Sequence, residues 1–150
     1  MKDKTLPPSA VFVFEREQAV RFGHCDPAGI VFFPRYYEML NACVEDWFTR
    51  GLKIPFAELL GPRQVGLPTV RLETEFRRPS RMGDTLRQRL AVLHLGRSSL
   101  QLLHHFEGED GLRVQFQQWL VCTSLQTHRS QTFPDDVRAA IEALQERSSP

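Results

Sequence analysis

Apolar residues at Phe12, Phe14, Val20 and Phe22 hold even positions among largely polar neighbours, a two-residue period that predicts a strand over 11–25. Pro27 closes it by removing a ladder donor and restricting Asp26 before it. The period then lengthens. Tyr37, Leu40, Val44, Trp47 and Phe48 recur at helical spacing, and Met39, Ala42 and Cys43 widen that face, so 34–50 is predicted as a helix covered on more than one side. Pro34 suits its first turn and Gly51 its stop. Pro55, Gly61, Pro62 and Gly66 make 52–66 a loop with at most a short helical turn around Phe56–Leu60.

Alternation returns downstream. Val70, Leu72 and Phe76 alternate with charged residues. Leu86, Leu90 and Val92 share a second face, Leu100, Leu102 and Phe106 a third, and Leu112, Val114, Phe116 and Leu120 a fourth. The turns "SRMGD" (80–84), "GRSS" (96–99) and "GEDG" (108–111) separate these runs, the signature of antiparallel hairpins. The stretch "FPDDVRAAIEALQERS" closes the chain as a helix with an acidic start and Val137, Ile141 and Leu144 on one face. One long apolar helix and one antiparallel sheet give an α+β fold, with the sheet curled around the helix. Without repeats or interior linkers, 1–150 is expected to be a single domain, with 1–10 and 147–150 frayed.

Composition narrows the function class. Hydrophobic residues are 41% and charged residues 25%, ordinary for a soluble domain of 150 residues. A net charge of +1 supplies no overall field for nucleic acid or an acidic membrane. No run approaches the roughly 18 apolar residues of a membrane span, and the N-terminus lacks the core of a signal peptide. A cytoplasmic setting is therefore expected. Cys25, Cys43 and Cys122 are too few and too scattered for a disulfide framework, and no C-x-x-C pair points to zinc.

The chemistry concentrates in "GHCDPAGIVFFPRYYEML" (23–40), where His24, Cys25 and Asp26 are consecutive. On a strand His24 and Cys25 face opposite sides, which is poor geometry for a thiol and its base, so Cys25 reads as a packed small hydrophobe. His24 shares parity with Val20 and Phe22. It reads as a hydrogen-bonded residue at a strand end, or as a partner orienting Asp26 or the substrate; no motif joins it to His94, His104, His105 or His128 as a metal site. Asp26 has two readings of equal weight. It is an N-cap-like residue satisfying free backbone donors. Alternatively it is a carboxylate beside an apolar pocket, where helix-start N–H groups polarise a carbonyl while the carboxylate attacks it or activates water.

The stretch "VRFGHCDPAGIVFFPRYYEMLNACVEDWF" resembles the start of 4-hydroxybenzoyl-CoA thioesterases and their acyl-CoA thioesterase relatives, and its D-P-A-G-I-V run followed by an aromatic pair is specific. The resemblance implies a hotdog fold, in which an antiparallel sheet wraps a long helix. It implies hydrolysis of an aromatic, benzoyl- or hydroxybenzoyl-type, acyl-CoA to free CoA and carboxylate. By position, Asp26 falls on the catalytic aspartate, nucleophile or general base, and the Phe33 backbone N–H on the donor to the thioester oxygen. Gly29, Ile30 and Val31 fall on the turn shaping the acyl pocket. The resemblance further implies no metal or organic cofactor, and a homo-oligomer, dimer or tetramer, with sites at subunit interfaces.

Two departures bear on specificity. His24 stands where close relatives often carry Asp. In "GLPTV" (66–70), Leu67 stands where the related stretch has Thr, which points away from a ring hydroxyl and towards unsubstituted benzoyl or another aromatic acyl group. The turn "LGRSSL" (95–100) resembles the family's basic turn, making Arg97, Ser98 and Ser99 candidates for the CoA phosphates or pantetheine. An ordinary exposed hairpin explains them equally well. The basic run "RRPSRMGD" (77–84) reads as a solvated strand end, and Tyr36, Tyr37 and Trp47 read as core before acyl-site lining. The alternatives are a thioesterase for aliphatic acyl-CoA or acyl carrier protein, and a non-catalytic acyl-CoA binder in which Asp26 only caps. No H-x-x-x-P-G stretch supports a hotdog dehydratase.

Overall fold

The computed structural model describes residues 10–149. In chain order its elements are β1 (Phe12–Ala19), α1 (Phe33–Asp46), α2 (Phe56–Leu60), β2 (Val65–Gly66), β3 (Thr69–Phe76), β4 (Thr85–Leu95), β5 (Ser99–Gly108), β6 (Gly111–Val121), β7 (Thr123–Ser124) and α3 (Asp135–Ser148). Five antiparallel strands form one sheet in the order β1-β4-β5-β6-β3, and β2 pairs with β7 in a small ribbon.

Helix α1 packs on one face of the sheet. Its buried residues Tyr36, Met39, Leu40, Cys43 and Val44 recur at three- and four-residue spacing, and Trp47 and Phe48 continue the stripe. They meet Leu86, Leu90, Leu100, Leu102, Phe106, Val114, Phe116 and Leu120 from the strands. Each such fully buried side chain stabilises the fold by about 1.5–3 kcal/mol. The helix is less enclosed than its composition predicts, because Arg35, Glu38, Asn41 and Glu45 form an exposed stripe. Its last turn widens at Trp47–Gly51, where the Leu52 N–H donates to Trp47 C=O at 2.8 Å. A Cβ at Gly51 would lie 2.9 Å from the Trp47 ring and 3.2 Å from Phe14, so only glycine lets these aromatics close over the helix end.

The predicted first strand is shortened and re-faced. β1 ends at Ala19, and Phe22–His24 form a 3₁₀ turn that leaves Phe22 83% exposed. Parity with Val20 and Phe22 therefore says nothing about His24. A bulge between Phe12 and Phe14 turns these two to opposite faces: Phe14 pairs with Leu90 on the helix side, and Phe12 pairs with Ala91 and stacks on His105. Val70, Leu72 and Phe76 are 63%, 39% and 51% exposed, because β3 is an edge strand. α3 begins with Asp135 and Asp136 and buries Val137 and Ile141. It runs to Ser148, through part of the tail expected to fray; of the two ends, residues 1–9 and 150 lie outside the described residues. Among the described residues no helix is long and apolar enough to cross a membrane.

Candidate active site

Asp26 opens a tight turn. Its N–H donates to Ile30 C=O and its C=O accepts the Gly29 N–H, both at 2.9 Å. Gly29 takes φ +80°, a conformation that disfavours a side chain. Cys25 and Val31 bridge the base of the turn, and Val31 donates to Ser80 C=O at 2.9 Å. Asp26 Oδ1 accepts the Ala28 N–H at 2.8 Å. Asp26 therefore caps its own turn and not the helix, whose N-cap is Phe32. The second carboxylate oxygen meets no donor among the described residues.

The helix start supplies the other half. Pro34 has no N–H, and the Arg35 N–H is engaged by Phe32 C=O at 2.9 Å. The Phe33 N–H meets no acceptor among the described residues, so α1 begins with an unspent donor at the positive end of its dipole. Phe32 N–H donates to His24 C=O at 2.9 Å, which ties this helix start back to the segment before Asp26. His24, Asp26, Gly29, Ile30, Val31 and Phe33, the candidates named from the sequence, thus fall in one compact turn-and-helix unit. His24 serves that unit locally: its Nδ1 accepts the Arg21 N–H at 2.9 Å. Cys25 Sγ lies 3.6 Å from Arg21 C=O. Both side chains serve the local backbone.

The remaining candidates lie elsewhere. Leu67 lines a groove of about 880 Å³ with Ala42, Val44, Phe56, Leu60, Leu120 and Leu125 as its apolar wall and Glu38, Asn41, Glu45, Thr69, Gln118, Thr123 and His128 as its polar members. Asn41 lies eight residues beyond Phe33, roughly 12 Å along the helix. Arg97, Ser98 and Ser99 form the β4–β5 hairpin, where Arg97 and Ser98 line a small polar pocket with Ser130, Gln131 and Thr132, and Arg97 Nε donates to Thr132 at 3.4 Å. The hairpin and the groove share one end of the sheet, since Ser99 pairs with Val121 and Leu100 with Leu120. The Asp26 turn is braced at the other end, by Ser80 and by Arg113 beside it. Strand β5 spans the two ends with ten residues, roughly 30 Å of strand. One chain thus separates its carboxylate from its groove.

The sequence reading missed the device that carries the Asp26 turn. Arg113, only 8% exposed, donates through Nη1 to Pro79 C=O at 3.0 Å, to Ser80 Oγ at 3.1 Å and to Asp84 at 3.1 Å, and through Nε to Asp110 at 2.7 Å. A backbone N–H from Arg81 and the Arg113 guanidinium hold the Asp84 carboxyl below its ordinary range. No local motif announces this cluster; its members meet only through β6 pairing. Among the described residues, no group of three or more His, Cys, Asp or Glu side chains is placed to hold a metal.

Residues 20–141 match the thioesterase-like superfamily. A 1,4-dihydroxy-2-naphthoyl-CoA hydrolase of Synechococcus sp. (strain WH7803) is 30% identical over 137 residues, covering 83% of this chain and 85% of that enzyme. The 4-hydroxybenzoyl-CoA thioesterase of Pseudomonas sp. (strain CBS-3) is 38% identical over 61 residues, 40% of this chain and 43% of that enzyme. Among solved structures, a gentisyl-coenzyme A thioesterase superposes with a TM-score of 0.77 at 27% identity, covering 83% of this chain and 99% of that one.

Proposed function

The chain belongs to the thioesterase-like superfamily and is a thioester hydrolase with the hotdog fold; we propose that it cleaves an aromatic acyl-CoA with Asp26, at a site that two copies of the chain build together. The observation that carries this reading is an unspent carboxylate oxygen on Asp26 and an unspent Phe33 N–H within one hydrogen-bonded turn-and-helix unit. The thioester oxygen lies on the Phe33 N–H, where the growing negative charge of the tetrahedral intermediate is favoured by donor and helix dipole. The carboxylate then attacks the carbonyl carbon or takes a proton from the attacking water. The C–S bond breaks, CoA leaves as thiol, and the acyl group leaves as carboxylate once water has added.

The second copy follows from the separation of carboxylate and groove. β3 is an open edge with Val70, Leu72 and Phe76 exposed. Phe33 and Phe76 extend this exposed surface, with ring centroids 6.4 Å apart. Antiparallel pairing of β3 with the same strand of a second copy satisfies that edge and exchanges ends. The partner's groove then lies beside this chain's Asp26. The groove, about 880 Å³, has room for a mono- or bicyclic aryl group, in keeping with the aromatic thioesters named for the relatives. Arg97 and the polar pocket beside it take the phosphate end of CoA.

A panel of benzoyl-, hydroxybenzoyl-, naphthoyl- and aliphatic acyl-CoA substrates, read by thiol release, tests the reading. Faster turnover of aryl thioesters, lost in Asp26→Asn with CoA binding kept, is the expected result. Parent-rate hydrolysis by Asp26→Asn would overturn the role of Asp26.

A further inference from the structure

The β3–β6 wall of the groove carries Thr69, Gln118 and Leu120. Thr69 faces the groove because of a bulge. Thr69 pairs with Leu120 and Arg71 with Trp119, so Val70 is the extra residue, and Thr69 and Arg71 lie on opposite faces. Without the bulge, Thr69 would share the outer face with Arg71, whose guanidinium lies 4.7 Å from the centroid of the Trp119 ring.

Behind Thr69 runs a buried chain of hydrogen bonds. Gln118 is 1% exposed; its Nε2 donates to Thr69 Oγ1 at 2.9 Å, and its Oε1 faces His104 Nε2 at 2.9 Å. An amide oxygen only accepts, so His104 carries its proton on Nε2. His104 Nδ1 is then a bare lone pair, in keeping with its lack of any partner among the described residues. Burial holds the ring neutral, pushing its pKa down to about 4. The direction of every bond is thereby set. Thr69 Oγ1 is occupied as an acceptor, and its own proton meets no acceptor among the described residues.

We propose that Thr69 is a specificity-determining residue: its hydroxyl, fixed as a donor by Gln118 and His104, selects acyl groups that carry an oxygen on the ring. This role presupposes that the groove holds the acyl group. Leu67 alone would favour a bare ring; Thr69, two residues on and turned inward by the bulge, supplies a polar anchor. Gln118 and His104 are positioning residues that act through the Thr69 hydroxyl.

The test is binding of non-hydrolysable S-phenacyl-CoA thioethers, unsubstituted and with a hydroxyl at each ring position, measured by calorimetry. The parent is expected to bind one hydroxylated isomer about threefold to tenfold more tightly than the bare ring, the range of one hydrogen bond. Thr69→Val abolishes that preference, and Thr69→Ser keeps it. Gln118→Met reduces it, because the hydroxyl then loses its fixed direction. Equal affinity for all isomers in the parent, or a preference that survives in Thr69→Val, overturns the role of Thr69 alone. Failure of every aryl thioether to bind overturns the aromatic acyl-CoA reading together with it.

Discussion

The guanidinium of Arg113 lies 3.1 Å from the carboxylate of Asp84, and that pair anchors the turn on which the Asp26 loop is folded. Asp84 in turn accepts the Arg81 N–H at 2.9 Å, Ile30 bridges to Arg81, and Val31 donates to Ser80 at 2.9 Å. Replacing Arg113 by Met removes the donor to Pro79 C=O and to the buried Ser80 hydroxyl, and releases two carboxylates. Arg113→Met is expected to lose about 1–3 kcal/mol of stability, and to lower kcat more than it raises KM. Urea denaturation and steady-state kinetics on the same preparation check both halves; an unchanged kcat would detach the anchor from the chemistry.

His104 gives stability a pH dependence. Burial depresses its folded pKa to about 4, while an unfolded histidine titrates near ~6.5. As pH falls through ~6.5 the unfolded chain binds a proton that the folded chain refuses until about pH 4. Stability therefore falls with pH across that interval, by roughly 3 kcal/mol in all. Urea titrations at several pH values follow it. In His104→Gln the slope across the same interval is expected to be markedly shallower, and an unchanged slope would move the effect to other groups. Acid loss from the Asp84 and Asp110 carboxyls, both held below their ordinary range by hydrogen bonds, comes at lower pH.

Gly29 and Gly23 make a controlled comparison. A Cβ at either meets nothing within 4 Å, but only Gly29 has a left-handed φ, +80°. Gly29→Ala is expected to cost about 1 kcal/mol and to depress kcat at least tenfold, as the Asp26 turn relaxes. Gly23→Ala leaves both nearly unchanged. Melting curves and kcat for the pair separate backbone strain from crowding.

Cys25 is a test of the thiol alternative. Its Sγ has Arg21 C=O as its hydrogen-bond partner, the residue packs against the core cluster, and the Nδ1 of neighbouring His24 is already taken by the Arg21 N–H. Cys25→Ser should hydrolyse the best substrate at nearly the parent rate; a large loss with intact folding would restore the thiol as a candidate.

What was legible in the sequence follows the range of the interactions. The short helix Phe56–Leu60, the hairpin turns and the long helix were readable because Pro, Gly and apolar spacing act locally. The 11–25 strand was read too long because side-chain bonding competes with the ladder: His24 accepts the Arg21 N–H and closes a 3₁₀ turn where alternation still continues. Parity failed again at Phe12, where a bulge reverses facing without changing composition; the bulge at Val70 does the same to Thr69, which alternation did not single out. The Asp26 unit was legible because its residues are contiguous. Gln118 and His104 were not, since only the pairing of β3, β5 and β6 brings them to Thr69.

The central claim is that Asp26 of one chain works on an acyl group held in the groove of another. Co-expression of Asp26→Asn with Leu67→Arg, a variant whose groove is blocked, tests it most directly. Each variant alone is inactive. In a mixed dimer one site combines both defects and the other combines intact Asp26 with an intact groove, so random pairing restores about a quarter of parent activity. A co-expressed mixture that forms dimers yet hydrolyses no faster than either variant alone would contradict the shared site.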